Sequence, residues 1–241
     1  MIAAWQFLPL VLALSAGVKP MSISQTKEIR LSLEQPKVVL GGPIVVEAAY
    51  VNGSSQKLTF RDPAKTWEVM LSIKLPDGSD QRAHFGRIIR SNAGAVSRQI
   101  VEDAEDVELA PGATHKFTED LWQRWPALIR PGRSVLRVVD RTSDRETITS
   151  NAIELFVAFT EESVPRLVQV ARDEKGPTET RQVAIEWLAR LRPGFSVALE
   201  HPTPEQVRAN QATLDDFSAW WDANKTSKRS ADAIAQINRE G

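Results

Sequence analysis

The sequence predicts a mainly β protein, an antiparallel β-sandwich followed by a C-terminal three-helix appendage. Three observations carry this reading. From Glu28 to Phe159 apolar residues recur with a period of two. Turn-forming dipeptides interrupt that stretch repeatedly. Near Thr160 the period changes to that of a helix.

The period of two is clearest in Ile29, Leu31 and Leu33, which alternate with Arg30, Ser32 and Glu34. It recurs where Trp67, Val69, Leu71, Ile73 and Leu75 alternate with Glu68, Met70, Ser72 and Lys74, and again in Ile153, Leu155 and Val157. Successive side chains of a strand point to opposite faces, so each run buries one face and wets the other. The breaks fall at Gly41-Gly42-Pro43, Asn52-Gly53-Ser54, Pro76-Asp77-Gly78, Pro111-Gly112 and Pro131-Gly132. Those residues supply the backbone angles that turns require. Asp77-Gly78 between two alternating runs predicts a hairpin joining Trp67–Leu75 to Arg82–Ile89. Short strands with repeated turns and no helices between them predict antiparallel pairing in two layers.

After Thr160, Val164, Leu167, Val168 and Ala171 are spaced i, i+3, i+4, i+7, as are Ala184, Trp187, Leu188 and Leu191. Gly176-Pro177 separates these helices, and Pro193-Gly194 ends the second. Thr203-Pro204-Glu205-Gln206 announces a third, with a capping threonine, proline at the first position and glutamine at the third. The polar stretch from Lys225 to Gly241 reads as a flexible tail. The expected units are therefore residues 27–159, 160–224 and 225–241.

The first residues read differently. Ile2 to Val18 is apolar except at Gln6, Pro9 and Ser15, and small residues (Ser15, Ala16, Gly17) precede Lys19-Pro20. Residues 1–21 thus read as a secretory signal peptide or a retained N-terminal membrane anchor. Either predicts a periplasmic or extracellular location.

Bulk chemistry excludes several classes. With 30 basic and 31 acidic residues the chain has a formal net charge of -1, which gives no bulk attraction to nucleic acid or to anionic lipid. Membrane contact is expected only through the N-terminal segment. No cysteine is present, which excludes disulfides, thiolate metal sites, cysteine nucleophiles and acylated cysteine. His84, His115 and His201 lack the neighbours that metal or catalytic histidines need at defined spacing. Ser91, Ser97 and Ser134 sit in no nucleophile elbow, and no glycine-rich phosphate loop is present. No residue is assigned a catalytic, cofactor-binding or metal role, and no cofactor is expected. The run Glu102-Asp103-Ala104-Glu105-Asp106 reads as a solvated acidic loop, with calcium as the other reading.

Leu33 to Phe60, with Leu40-Gly41-Gly42-Pro43 opening a strand and Asn52 closing it, resembles the first strands of bacterial immunoglobulin-like domains. Pro131 to Arg137 resembles the penultimate strand of that family, without the aromatic often found after the proline-glycine. Ser150-Asn151-Ala152-Ile153-Glu154-Leu155 resembles the last strand. Val164 to Leu191 resembles one HEAT-type helix pair, with Arg181 and Ala184-Ile185 at matching places in its second helix. The resemblance implies an immunoglobulin-like sandwich and adhesive, spacer or inhibitor modules rather than one activity.

The tryptophans are the remaining signal. Trp122 and Trp125 flank Gln123-Arg124, and Trp220-Trp221 lies late in the third helix. All four are candidate partner-binding residues, because exposed tryptophan anchors interfaces and stacks on sugars; plugging the core is the competing role. These readings together predict a non-enzymatic structural or protein-interaction module of the bacterial cell envelope, possessing another envelope protein as partner and able to serve as an accessory subunit of a membrane complex. The alternatives are a polysaccharide- or ligand-binding module using exposed tryptophans, and a protease inhibitor presenting the loop from Arg87 to Asp106.

Overall fold

The computed structural model describes residues 27–66, 68–85, 105–141, 147–199 and 202–240. The N-terminal apolar segment, most of the acidic run and of the loop from Arg87, Ser91, Ser97 and His201 lie outside these residues. About 33% of the described residues are strand and 35% helix, so among them the expected excess of β structure does not appear.

Eleven strands are described: β1 (Lys27–Leu33), β2 (Lys37–Val39), β3 (Val45–Asn52), β4 (Leu58–Arg61), β5 (Val69–Lys74), β6 (Asp80–His84), β7 (Asp106–Leu109), β8 (Thr114–Asp120), β9 (Gly132–Asp140), β10 (Ile148–Thr149) and β11 (Ile153–Ala158). One sheet has the order β1-β3-β8. A larger one runs β2-β11-β9-β5-β6, with β10 also on β9, and β4 pairs with β7. Every pairing is antiparallel except β2 with β11. The alternation read from sequence sets the faces. Ile29, Leu31, Val46, Ala48 and Tyr50 of the smaller sheet and Leu71, Ile73, Leu136, Val138, Leu155 and Val157 of the larger one are all buried in one core.

The expected hairpin joins β5 to β6, with Lys74 opposite Asp80. Gly78 has φ +84°, a conformation glycine adopts without steric cost. Asp77 Oδ1 accepts hydrogen bonds from the Ser79 amide at 2.8 Å and its hydroxyl at 2.6 Å. The Ser79 hydroxyl, then its amide, hold the Asp77 carboxyl below its usual pKa, and Arg130 adds to this. A lowered folded-state pKa stabilises the turn above the ordinary carboxylate range, and that contribution is lost as pH falls through the folded value. Ser79→Ala is expected to move the Asp77 titration upward toward the usual value, measurable by NMR of the Asp77 side chain.

An asparagine and an ion pair fasten the two ends of β1. Asn151, in the link between β10 and β11, accepts from the Leu31 amide at 2.7 Å and donates to the Leu31 carbonyl at 2.9 Å, closing the free edge of β1. At the other end of β1, Lys27 Nζ lies 2.6 Å from the buried Asp140 carboxylate and over the rings of Tyr50 and Phe60. Burial, reinforced by Asp140, pushes the Tyr50 phenol above its ordinary pKa.

The β region is not free of helix. A short turn α1 (Leu121–Arg124) and a 3₁₀ turn (Pro126–Leu128) stand between β8 and β9. Asp120 caps α1 by accepting from the Trp122 amide at 3.0 Å and also takes the Ile44 amide at 3.1 Å. So few residues carry no helical period, which is why the sequence did not announce them.

Four longer helices follow: α2 (Ser163–Arg172), α3 (Thr178–Leu191), α4 (Pro204–Asn224) and α5 (Lys228–Glu240). The Thr203 capping box is present, and α4 runs unbroken past Thr213. The appendage therefore has four helices rather than three, and the expected flexible tail is helix from Lys228 to Glu240. Its single apolar stripe explains the error. Ala233, Ile234 and Ile237 meet the core, with Ile237 2% exposed. Asn238 then brackets Phe159, accepting from its amide at 2.9 Å and donating to its carbonyl at 2.8 Å.

The change of period at Thr160 does not interrupt the core. One apolar cluster runs from Tyr50 and Leu136 through Leu121, Trp122 and Phe159 to Leu167, Trp187 and Phe217. The helices sit at the end of the sheets opposite Lys27, against the β2–β3 turn. There Gly41 has φ +86°, and a Cβ on it would lie 3.2 Å from Leu167 and 3.3 Å from Arg166. Gly41→Ala is expected to cost about 1–2 kcal/mol from backbone strain alone, before the α2 contact is counted. A urea-midpoint shift measures it.

Candidate partner-binding surface

The four candidate tryptophans divide by burial. Trp122 is 1% exposed and Trp221 5%, so both belong to the core and offer no face to a partner. Trp122 is drawn inward because Asp120 fixes the start of α1 and Leu121 beside it is fully buried. Adjacent helical residues point about 100° apart, so one of Trp220 and Trp221 must turn toward solvent. Trp221 takes the core side. Trp220 is half-buried, 5.4 Å from Phe217 and 5.5 Å from the Arg192 guanidinium, which is itself paired with Asp216 at 2.7 Å. Trp125 is also half-buried, edge-on to Phe85 at 5.2 Å with the Arg124 guanidinium 5.5 Å away. Trp220 and Trp221 touch at 6.4 Å, and no ring contact joins them to Trp122 or Trp125 among the described residues. The sequence pairs are thus two separate places, each with one accessible indole.

Other sequence candidates have ordinary surroundings. His115 Nε2 lies 3.6 Å from an Asp62 oxygen and edge-on to Phe60. Ser134 is 3% exposed on β9. Among the described residues no three His, Cys, Asp or Glu side chains gather as a metal group, and no helix is long and apolar enough to cross a membrane. Asn52 is fully buried with both ends of its amide bonded. Glu119, half-buried beside α1, has its carboxyl pKa raised by burial despite Arg124 at 3.4 Å.

Two concave surfaces lie among the described residues of the helical end. A groove of about 340 Å³ runs between α2 and α4, lined by Val164, Val168, Arg172, Ser218 and Trp221. Arg172 reaches across it to Asp215 at 2.5 Å and Ser218 at 3.4 Å. A larger cavity of about 610 Å³ lies where the α2–α3 turn, the start of α3 and the first half of α4 meet. Arg181 lines it at only 8% exposure, and its Nε donates to the Ala171 carbonyl at the end of α2 at 3.1 Å. The sequence offered a signal for Arg181 that residue-type searching overlooks: it occupies the apolar stripe of α3 three, four and seven residues before Ala184, Ile185 and Leu188. A charge on a buried stripe requires a reason.

No protein-family model matches the chain, and no curated protein sequence is similar to it. Solved structures that share part of its shape include the alkylpurine DNA glycosylase AlkC of Pseudomonas fluorescens, bound to DNA containing an abasic site analog (12% identity, TM-score 0.33, 54% of this chain and 30% of that one). The sporulation control protein Spo0M of Bacillus subtilis covers 59% of this chain and 54% of its own at 13% identity and TM-score 0.33. A β-glucosidase of Listeria innocua in complex with glucose covers 54% and 16% at 16% identity and TM-score 0.28. This chain spans less than two thirds of each of these neighbours, and TM-scores near 0.3 identify neither a shared fold nor a shared activity.

Proposed function

We propose that this protein is a non-catalytic interaction module of the bacterial cell envelope, an immunoglobulin-like sandwich that holds a helical unit toward a partner protein. One observation carries the reading: the residues behind the immunoglobulin-like resemblance are consumed by structure. Asn52 ties its own turn, Gly41 admits α2, and Asn151 holds β1. None is left for chemistry, which suits a scaffold. The helical unit, fixed at the end opposite Lys27, is the part left to recognise something. The strand β1 spans about 23 Å, since seven residues each rise about 3.3 Å, and Lys27, the first described residue, stands at its end away from the helices. A partner would then meet the helical end, where Trp220 and the α2–α4 groove lie.

Export and partnership are tested together. N-terminal sequencing of native material is expected to give a start between Gly17 and Ser22, or an intact Met1 in the membrane fraction. A photo-crosslinker at Trp220 is expected to capture one discrete envelope protein, and one on the hairpin at Asp80 is expected to capture none. A soluble cytosolic protein with Met1 intact would sink the envelope reading.

A further inference from the structure

The cavity at the helical end is lined by Arg181, a largely buried residue whose guanidinium has no ion-pair partner among the described residues. Arg181 is 8% exposed, yet it makes no ion pair among the described residues, and its one hydrogen bond uses Nε alone. That bond places the guanidinium beside the carbonyl end of α2, which offsets part of its charge. The two terminal nitrogens have no hydrogen-bond partner among the described residues, while the residue lines the 610 Å³ cavity. A guanidinium holds its charge at any ordinary pH and presents its terminal donors as a fork that matches a carboxylate.

The walls agree with an anionic guest. The 14-residue helix α3 begins at Thr178, another lining residue, and no side chain caps it. Its free amides and positive end favour an anion. Among the described lining residues the one carboxylate, Glu174, accepts from Gln211 Nε2 at 3.3 Å at the cavity margin. Leu199, Val207 and Leu214 supply an apolar wall, and the volume lies in the range of small-molecule sites, about 300–1,000 Å³. We propose that this cavity binds the carboxylate of an organic ligand, with Arg181 and the start of α3 on the carboxylate and Leu199, Val207 and Leu214 on its apolar part. The carboxylate can belong to a free organic acid or to the C-terminus of a peptide. This inference concerns the ligand class and does not depend on where the protein resides.

Isothermal titration of the full chain with isocaproate, isocaproamide, inorganic phosphate, and a leucine-ended tripeptide with free or amidated C-terminus tests it. Saturable binding is expected for isocaproate or the free tripeptide, and none for the matched amides. The tighter of the two carboxylates identifies the source. Arg181→Gln is expected to weaken binding at least about tenfold, the loss of a charge-assisted hydrogen-bond pair. Because Arg181 also bonds the end of α2, Val207→Trp provides a second variant, filling the cavity from a half-buried position without touching the guanidinium; it too is expected to abolish binding. No binding by either carboxylate, equal binding by the amides, phosphate binding without carboxylate binding, or affinity unchanged in folded Arg181→Gln and Val207→Trp would each overturn the assignment.

Discussion

Trp187→Ala is expected to destabilise the whole molecule by about 3–5 kcal/mol, the usual cost of truncating a buried tryptophan. Trp187 is 7% exposed, its ring lies 6.3 Å from Phe159 at the end of β11, and Arg190 covers its outer face at 4.3 Å. Domains of this kind are stable by only about 5–15 kcal/mol, so the loss is a large share of the total. Because one apolar cluster continues from the sheets into the helices, the unfolding is expected to remain a single transition. Urea melts followed by far-UV circular dichroism and by the fluorescence of the remaining tryptophans should then superimpose at a lower midpoint. A variant whose helices are digested while residues 27–159 survive proteolysis would instead show two independently folding units. Asn238 makes the same point from the other side, since its bracket on Phe159 gives α5 a part in holding the junction.

Asn52→Ala is expected to cost about 2–4 kcal/mol, because each buried polar group left unpaired costs about 1–3 kcal/mol and these losses are not additive. Asn52 is fully buried. Its Nδ2 donates to the carbonyls of Gln56 at 2.7 Å and Leu109 at 3.0 Å, and its Oδ1 accepts from the amide and hydroxyl of Ser54 at 3.0 and 2.7 Å. Alanine removes every one of these bonds. Hydrogen exchange at Ser54 and Gln56 should quicken, and the urea midpoint should fall. Asn52→Asp separates donor from acceptor. Its carboxylate would face two carbonyl oxygens in a buried place, so its folded-state pKa should rise. A raised carboxyl pKa means that stability is greater at low pH and is lost as pH rises through the folded value. The Asp variant should therefore be least stable at neutral pH and recover toward acid, whereas the Ala variant should show no such recovery.

Local chemistry determined what the sequence made legible. The period of two placed Ile29, Leu71, Ile73 and Leu155 on inward faces, since a strand that buries one side must alternate. The Asp77-Gly78 hairpin and the Thr203 capping box were equally plain, because each is completed by residues within a few positions of one another. What failed depended on partners distant in the chain. The last helix looked like a polar tail because Ile237 and Asn238 gain their meaning only from a core and from Phe159, 79 residues away. Helix α1 was invisible because one turn carries no period. The tryptophans could not be sorted into core and surface, since burial of Trp122 and Trp221 depends on which element covers them. The sequence by itself determined the alternating strands, the helices α2, α3 and α4, the turn glycines and the balanced charge. Tertiary packing alone decided that the sheets and helices share one core and that the asparagines are clasps, because long-range contacts leave no periodic mark on either of the segments they join.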